Sequence, residues 1–301
     1  MSTELSGVLL INKPAGKTSH DIVGAVRRLY HTRRVGHTGT LDPMATGVLV
    51  ILVGRAAKAA EYLSVKNKSY RAVMRLGLTT DTEDTTGKTL TVSGDIPSPE
   101  RVTEVANGFV GEILQTPPMY SALKVNGQKL CDLARKGIEI EREARPITIH
   151  SLSCKHLEGN DYELLVSCSS GTYIRTLCAD IGKALGCGGA MAALCRTETG
   201  GFPLADCHTT EEIDSLTDEE RAALLLPTEQ LFCELASVRL PAFYEKLCRG
   251  GCEIYQKKIN TNYALDTRVR LCNEKGDFFA IGEVKTYENG SAIKSIKMFD
   301  V

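Results

Sequence analysis

Apolar residues recur along this chain with two periods. Val8-Leu9-Leu10-Ile11 is a short continuous apolar run, as a buried strand requires. Thr18-Ser19-His20-Asp21 then supplies a capping box ahead of Ile22, Val23, Val26, Leu29 and Tyr30 at helical spacing. Gly47 to Val53 is a second apolar strand. Tyr70-Arg71-Ala72-Val73-Met74-Arg75-Leu76 alternates, which puts Tyr70, Ala72, Met74 and Leu76 on one face and both arginines on the other. Ser98-Pro99 is an N-cap followed by proline at the first helical position, with Val102, Val105, Ala106 and Phe109 as the buried stripe.

Further along, Gln128 to Lys136 reads as a short helix stopped by Gly137. Arg145 to Leu157 and Asp161 to Ser169 read as strands joined by a turn at Glu158-Gly159-Asn160. Tyr173 to Leu185 is helical up to Gly186, and Thr209 to Leu226 reads as one helix with acidic residues in its first turn. After Pro227 the pattern changes to short strands, Val269 to Cys272, Phe278 to Val284 and Ile293 to Met298, separated by polar turns. The expectation is an α+β chain in two domains, 1–232 and a small β-rich 233–301.

Composition narrows the class. With 43% hydrophobic and 24% charged residues in 301, the chain has the balance of a globular protein and not of a disordered or fibrous one. Its longest apolar stretch, Ala45 to Val53, falls short of the roughly 20 residues of a membrane span, and the first residues lack the pattern of a secretory signal. A cytoplasmic location without membrane attachment is expected. Eleven cysteines, an odd number spread from Cys131 to Cys272 with no Cys-x-x-Cys, point to reduced thiols, and neither a structural nor a catalytic metal is expected.

A net charge of −1 gives no global attraction for nucleic acid, so any such binding must be local. From Ile22 to Leu41 there is no acidic residue, while Arg27, Arg28, Arg33 and Arg34 are joined by His31 and His37. That imbalance beside a glycine-rich loop favours phosphate contact. Ala15-Gly16-Lys17-Thr18 lies between a strand and a helix, as a nucleotide-binding P-loop would. The first glycine of that motif is replaced by Ile11, however, and Pro14 removes an amide donor. Lys13-Pro14 is better read as structure.

The loop Val35-Gly36-His37-Thr38-Gly39-Thr40-Leu41-Asp42-Pro43-Met44-Ala45-Thr46-Gly47 shapes a tight turn around one carboxylate, Asp42, between a helix and a strand. Alone, Asp42 before Pro43 could be no more than an Asx turn. Arg175 carries its own signal, because an arginine on an otherwise apolar helix face calls for a buried anion.

This loop resembles the catalytic loop of the tRNA pseudouridine synthase B family. The likeness continues through Gly7-Val8-Leu9-Leu10-Ile11-Asn12-Lys13-Pro14, Lys17-Thr18-Ser19-His20-Asp21, Lys68-Ser69-Tyr70-Arg71, Pro118-Met119-Tyr120-Ser121-Ala122-Leu123-Lys124, Arg142-Glu143-Ala144-Arg145-Pro146-Ile147 and Gly171-Thr172-Tyr173-Ile174-Arg175-Thr176. These stretches keep their order across residues 7–200; the C-terminal region fits more loosely. The resemblance implies a catalytic domain with a central mixed or antiparallel sheet flanked by helices, and a C-terminal PUA-like RNA-binding module. It also implies an isomerase that converts the T-loop uridine at position 55 of tRNA to pseudouridine without a cofactor. The implied partner is the tRNA T stem-loop, no obligatory protein partner is expected, and the chain should act as a monomer.

By the same resemblance Asp42 is the essential carboxylate, Tyr70 stacks on the target base and Arg175 pairs with Asp42. Tyr173 and Leu194 help enclose the uracil, Lys13 belongs to the substrate site, and His37 helps splay the T loop open. Segment 122–146 resembles the family's RNA-clamping insertion, which makes Lys124, Lys129, Arg135 and Arg145, with Arg33 and Arg34, the expected RNA contacts. A solvated face is the simpler reading of any one of these. Whether Asp42 attacks the ribose carbon or removes a ribose proton is left open by sequence; both need an ionised carboxylate, which an arginine partner favours. The chain departs from the family pattern at Gly189-Ala190, where Ala-His is usual, and at Cys195, where a second arginine is usual. An RNA-binding or RNA-folding module with dispensable chemistry is the alternative from another class.

Overall fold

The first apolar run becomes the strand Gly7–Lys13, paired antiparallel with Thr46–Val53 from Gly7↔Val53 to Lys13↔Gly47. These two strands are apolar on every residue from Val8 to Ile11 and from Val48 to Val53 because both of their faces are covered. Leu9, Ile11, Leu49, Ile51 and Val53 join one core with Ile22, Val23 and Val26 of the helix Ser19–Leu29. Val8, Leu10, Val48, Val50 and Leu52 join a second core with Phe232, Ile281 and Phe299. The computed structural model describes residues 5–63, 67–121, 123–125 and 127–299; Ala122 and the side chains of Lys124 and Lys129 lie outside the described residues.

Across the main sheet the strands run Gly7–Lys13, Thr46–Val53, Gly189–Thr199, Lys68–Leu76, Asp161–Cys168, Arg145–His156 and Gly111–Gln115, with Val35–His37 and Phe202–Pro203 added beside this path. All pairs are antiparallel except Thr46–Val53 with Gly189–Thr199, which meet in parallel at Cys195↔Thr46 and Arg196↔Gly47. The sheet is therefore mixed. The expected alternation holds in Lys68–Leu76, where Tyr70, Ala72, Met74 and Leu76 are buried while Arg71 and Arg75 pair with Glu163 and Asp161 of the neighbouring strand. Thr18 caps Ser19–Leu29 with the anticipated box, its hydroxyl accepting from the Asp21 amide at 3.0 Å while Asp21 accepts from the Thr18 amide at 2.8 Å.

Four elements differ from the sequence expectation, each for a visible reason. Thr209 to Leu226 is two helices, Thr210–Asp214 and Asp218–Ala223, because a second capping box, Thr217 with Glu220, starts the chain afresh. The expected helix from Gln128 shrinks to Leu130–Ala134, since Gln128–Lys129 turns back to pair with Lys124–Val125. Gly189–Thr199 is a central strand that its small residues did not announce. Its close approach to the helix Ile174–Leu185 requires Gly182, where an added Cβ would stand 2.1 Å from the Gly189 amide nitrogen. The C-terminal region holds a helix, Ala242–Arg249, beside its strands.

That region builds a second sheet in the order Ala236–Arg239, Arg268–Cys272, Phe278–Tyr287, Gly290–Met298, Ile254–Tyr255. It is fastened to the main sheet by three rings, Phe232, Phe278 and Phe299, with centroids 5.6 to 6.0 Å apart, and by an ion pair from Arg270 to Glu229 at 2.6 Å. Among the described residues no helix is long and apolar enough to cross a membrane. Phe232 is fully buried where the two sheets meet. Phe232→Ala is expected to lower unfolding free energy by about 3–5 kcal/mol in a urea titration.

Candidate active site

The loop between Val35–His37 and Thr46–Val53 carries Asp42, and almost every turn of it is held from outside. The Ser19 hydroxyl accepts from the Leu41 amide at 2.9 Å and donates to the Leu41 carbonyl at 3.2 Å. The Lys13 ammonium donates to the carbonyls of Pro14, Lys17 and Pro43 at 2.9, 2.7 and 3.2 Å. Arg196 donates to the Val48 carbonyl at 2.7 Å and to the Gly39 carbonyl at 3.1 Å. The loop re-enters the sheet through Gly47, whose φ is +98° and whose hypothetical Cβ would lie 2.2 Å from the Arg196 carbonyl oxygen. Only glycine fits there.

Asp42 faces Arg175 through two contacts, Nε to Oδ2 at 2.9 Å and Nη2 to Oδ1 at 3.4 Å. The arginine side chain is 6% exposed and the carboxylate 34% exposed, so the pair has a buried cation and an accessible anion. The rest of the guanidinium is spent on the carbonyls of Tyr120, at 2.7 Å, and Thr82, at 3.0 Å. A fork held at four oxygens cannot swing, and it fixes the carboxylate plane. Arg175 itself is placed by the second position of Ile174–Leu185. That helix has no side-chain cap; Gln115, buried in the neighbouring strand, fastens Tyr173 by accepting from its amide at 2.8 Å and donating to its carbonyl at 3.1 Å.

A cavity of about 210 Å³ opens over the carboxylate, lined by Asp42, Arg175, Tyr70, Tyr173, Leu194 and Lys68 among others. The structure thus brings Asp42, Tyr70, Arg175, Tyr173 and Leu194 together. Tyr70 and Leu194 are nearly buried, and burial pushes the Tyr70 and Tyr173 phenols up, keeping both neutral at physiological pH. His37 does not line this cavity. Its Nδ1 accepts from the Gly39 amide at 3.3 Å, and burial, then Arg196, pulls its pKa down. Lys13 is fully buried and reaches the loop from behind, touching carbonyls and not the cavity. Arg33 and Arg34 are exposed, as are Arg135, paired with Asp132 at 3.3 Å, and Arg145.

Sequence reading missed Gln115, Lys68 and Arg196. Arg196 is 1% exposed, has no carboxylate within ion-pair distance among the described residues, and lies beside the Tyr70 phenol; burial pulls its pKa down. Its place two residues after Leu194 could have flagged it, had the strand been recognised. Among the described residues no group of three or more His, Cys, Asp or Glu side chains is arranged to hold a metal ion.

The fold has counterparts among solved structures. A chain of a Cbf5-Nop10-Gar1 complex superposes with a TM-score of 0.75 at 25% identity, covering 98% of this chain and 85% of that one. The family models name the class to which this architecture belongs, the pseudouridylate synthases. Residues 27–174 match the model of the TruB family pseudouridylate synthase N-terminal domain, and residues 175–232 match that of the tRNA pseudouridylate synthase B C-terminal domain. The tRNA pseudouridine synthase B of Clostridium kluyveri is 43% identical over 295 residues, 98% of this chain and all of that protein. That of Dechloromonas aromatica is 48% identical over 236 residues, 78% of this chain and 79% of the relative. This chain belongs to the TruB family of pseudouridylate synthases.

Two measurements test the loop's supports. Gly47→Ala should cost about 1–3 kcal/mol from the backbone conformation alone, and more from the Arg196 carbonyl, in equilibrium unfolding. Burial pushes the Lys13 amine down to about 8, against the opposing pull of Asp42. The unfolded chain therefore binds more protons than the folded one between pH 8 and 10.5, and this group makes stability rise with pH across that window. Urea titrations at pH 7.5 and 10 should show a smaller rise, or a larger fall, in Lys13→Met than in wild type.

Proposed function

We propose that this protein isomerises the T-loop uridine at position 55 of tRNA to pseudouridine, with Asp42 as its essential carboxylate. The observation that carries this reading is the Asp42–Arg175 pair opening onto a cavity walled by Tyr70, Tyr173 and Leu194. Three features support it: an anion held at fixed orientation, an aromatic surface beside it and an apolar closure.

A base inside a folded T loop has to be flipped out to reach such a cavity, and stacking on Tyr70 returns roughly 1–3 kcal/mol of what leaving the stack costs. The N1–C1′ bond breaks, the freed uracil turns, C5 bonds to C1′, the C5 hydrogen leaves as a proton, and N1 takes one up. Nothing is oxidised or reduced, so the cycle needs no redox partner. Asp42 begins it, by attack on C1′ or by taking a ribose proton. Arg175 keeps the carboxylate aimed. Arg33, Arg34, Arg135 and Arg145, with Lys124 and Lys129 of the insertion 122–146, contact the RNA backbone, His37 helps open the T loop, and 233–301 acts as a PUA-like second RNA contact. Lys13 supports the site from behind the loop.

Asp42→Asn should bind tRNA as wild type does yet release no tritium from a transcript labelled at uridine C5. Release at more than about one per cent of the wild-type rate would remove Asp42 from the chemistry. Mapping of pseudouridine in treated tRNA should show a single new site, at position 55.

A further inference from the structure

Cations around the active cavity are almost all committed. Arg175 is spent on Asp42, Tyr120 and Thr82, Arg196 on Val48 and Gly39, and Lys13 on three carbonyls. Lys68 differs. Its side chain lines the Asp42 cavity and also a neighbouring one of about 200 Å³ walled by Thr38, Ser170 and Thr199. Among the described residues its amine makes no ion pair, whereas Arg71 and Arg75 on the same strand are paired with Glu163 and Asp161.

The strand period explains the placement. Lys68 and Tyr70 are two residues apart, so they share a face and stand about 6.6 Å from each other along the strand. A nucleotide whose base stacks on Tyr70 carries its phosphates at a comparable remove. Across the loop, a Cβ built on Gly39 would stand 3.8 Å from the Lys68 amine and 3.6 Å from an Arg196 nitrogen, so two cations converge on one loop glycine with no carboxylate between them. Burial and then the Arg196 charge pull the Lys68 pKa down. Two like charges held together, partly out of water, are costly unless an anion joins them. The anions an RNA substrate permanently carries are its phosphates; uracil oxygens become anionic only in passing.

We propose that Lys68 binds the phosphodiester next to the flipped uridine, seating the ribose against Asp42. This rests on the pseudouridylation reading and adds to it a named contact for the target nucleotide's own backbone. The test uses full-length protein and T-arm RNAs in which one phosphodiester flanking the target uridine, on either side, is replaced by a neutral methylphosphonate. Lys68→Gln should bind unmodified RNA about tenfold more weakly, with the slope of log affinity against log salt reduced by about 0.7–0.9. Lys68→Arg should restore most of both. One neutral linkage should weaken wild type by a similar factor and leave Lys68→Gln unaffected.

Wild-type affinity and salt slope in Lys68→Gln, or a methylphosphonate penalty that persists in it, would overturn the assignment. So would a loss confined to the single-turnover rate, which would place the amine on the base. Melting temperatures within a few degrees of wild type separate contact from misfolding, and Lys68→Arg carries the test if Lys68→Gln is unfolded. A wild-type enzyme that leaves the T-arm uridine unmodified would instead overturn the reading on which the proposal stands.

Discussion

The position of one carboxylate depends on cations that hold the backbone around it. Asp42 lies on a loop, and a loop alone would not keep the carboxylate within the fraction of an ångström that its proposed chemistry needs. Lys13 holds the Pro43 carbonyl, Arg196 holds the Gly39 carbonyl, and Arg175 holds the carboxylate itself. The three come from three places, the end of the first strand, the central strand and the helix after Tyr173. The mixed sheet is what assembles them. The parallel pairing of Arg196 with Gly47 is also where the loop re-enters the core.

Legibility in the sequence followed how local each signal was. The alternation from Tyr70 to Leu76, the capping box at Thr18 and the Gly186 stop of the long helix involve neighbours in sequence, and all appear in the fold. Gly189–Thr199 did not declare itself, because Gly189, Ala190 and Met191 are all buried and leave no apolar-polar rhythm to read. The helix expected over 209–226 divided because a local signal, Thr217 with Glu220, outweighed a periodicity that ran through it. In the site, Arg175 could be picked out because an arginine on an apolar helix face is odd alone, whereas Asp42, an ordinary Asx turn by itself, was singled out by the family resemblance of its loop. Arg196, Gln115 and Lys68 look ordinary where they stand, and only their contacts with residues tens of positions away make them informative.

Lys13 makes contacts that its place in the sequence did not announce. A lysine after an apolar strand and before a proline is ordinarily a surface residue, and family likeness brought it into the substrate site. It is fully buried, with its charge spread over three carbonyl dipoles behind the loop. The residue matters to the site through the backbone that it fixes.

Carbonyls, and not further carboxylates, balance the buried cations, and this bears on the chemistry. Peptide dipoles stabilise Lys13 and Arg196 without titrating and without cancelling their charge. The net charge of the chain is −1, yet within the loop's surroundings Lys13, Lys68, Arg175 and Arg196 outnumber the one carboxylate they enclose. Under the proposed function, that excess of positive charge is what draws an RNA backbone to the cavity mouth. A nearly neutral protein thereby keeps a strong local field where the proposed substrate would bring a base, a ribose and a phosphate to one carboxylate.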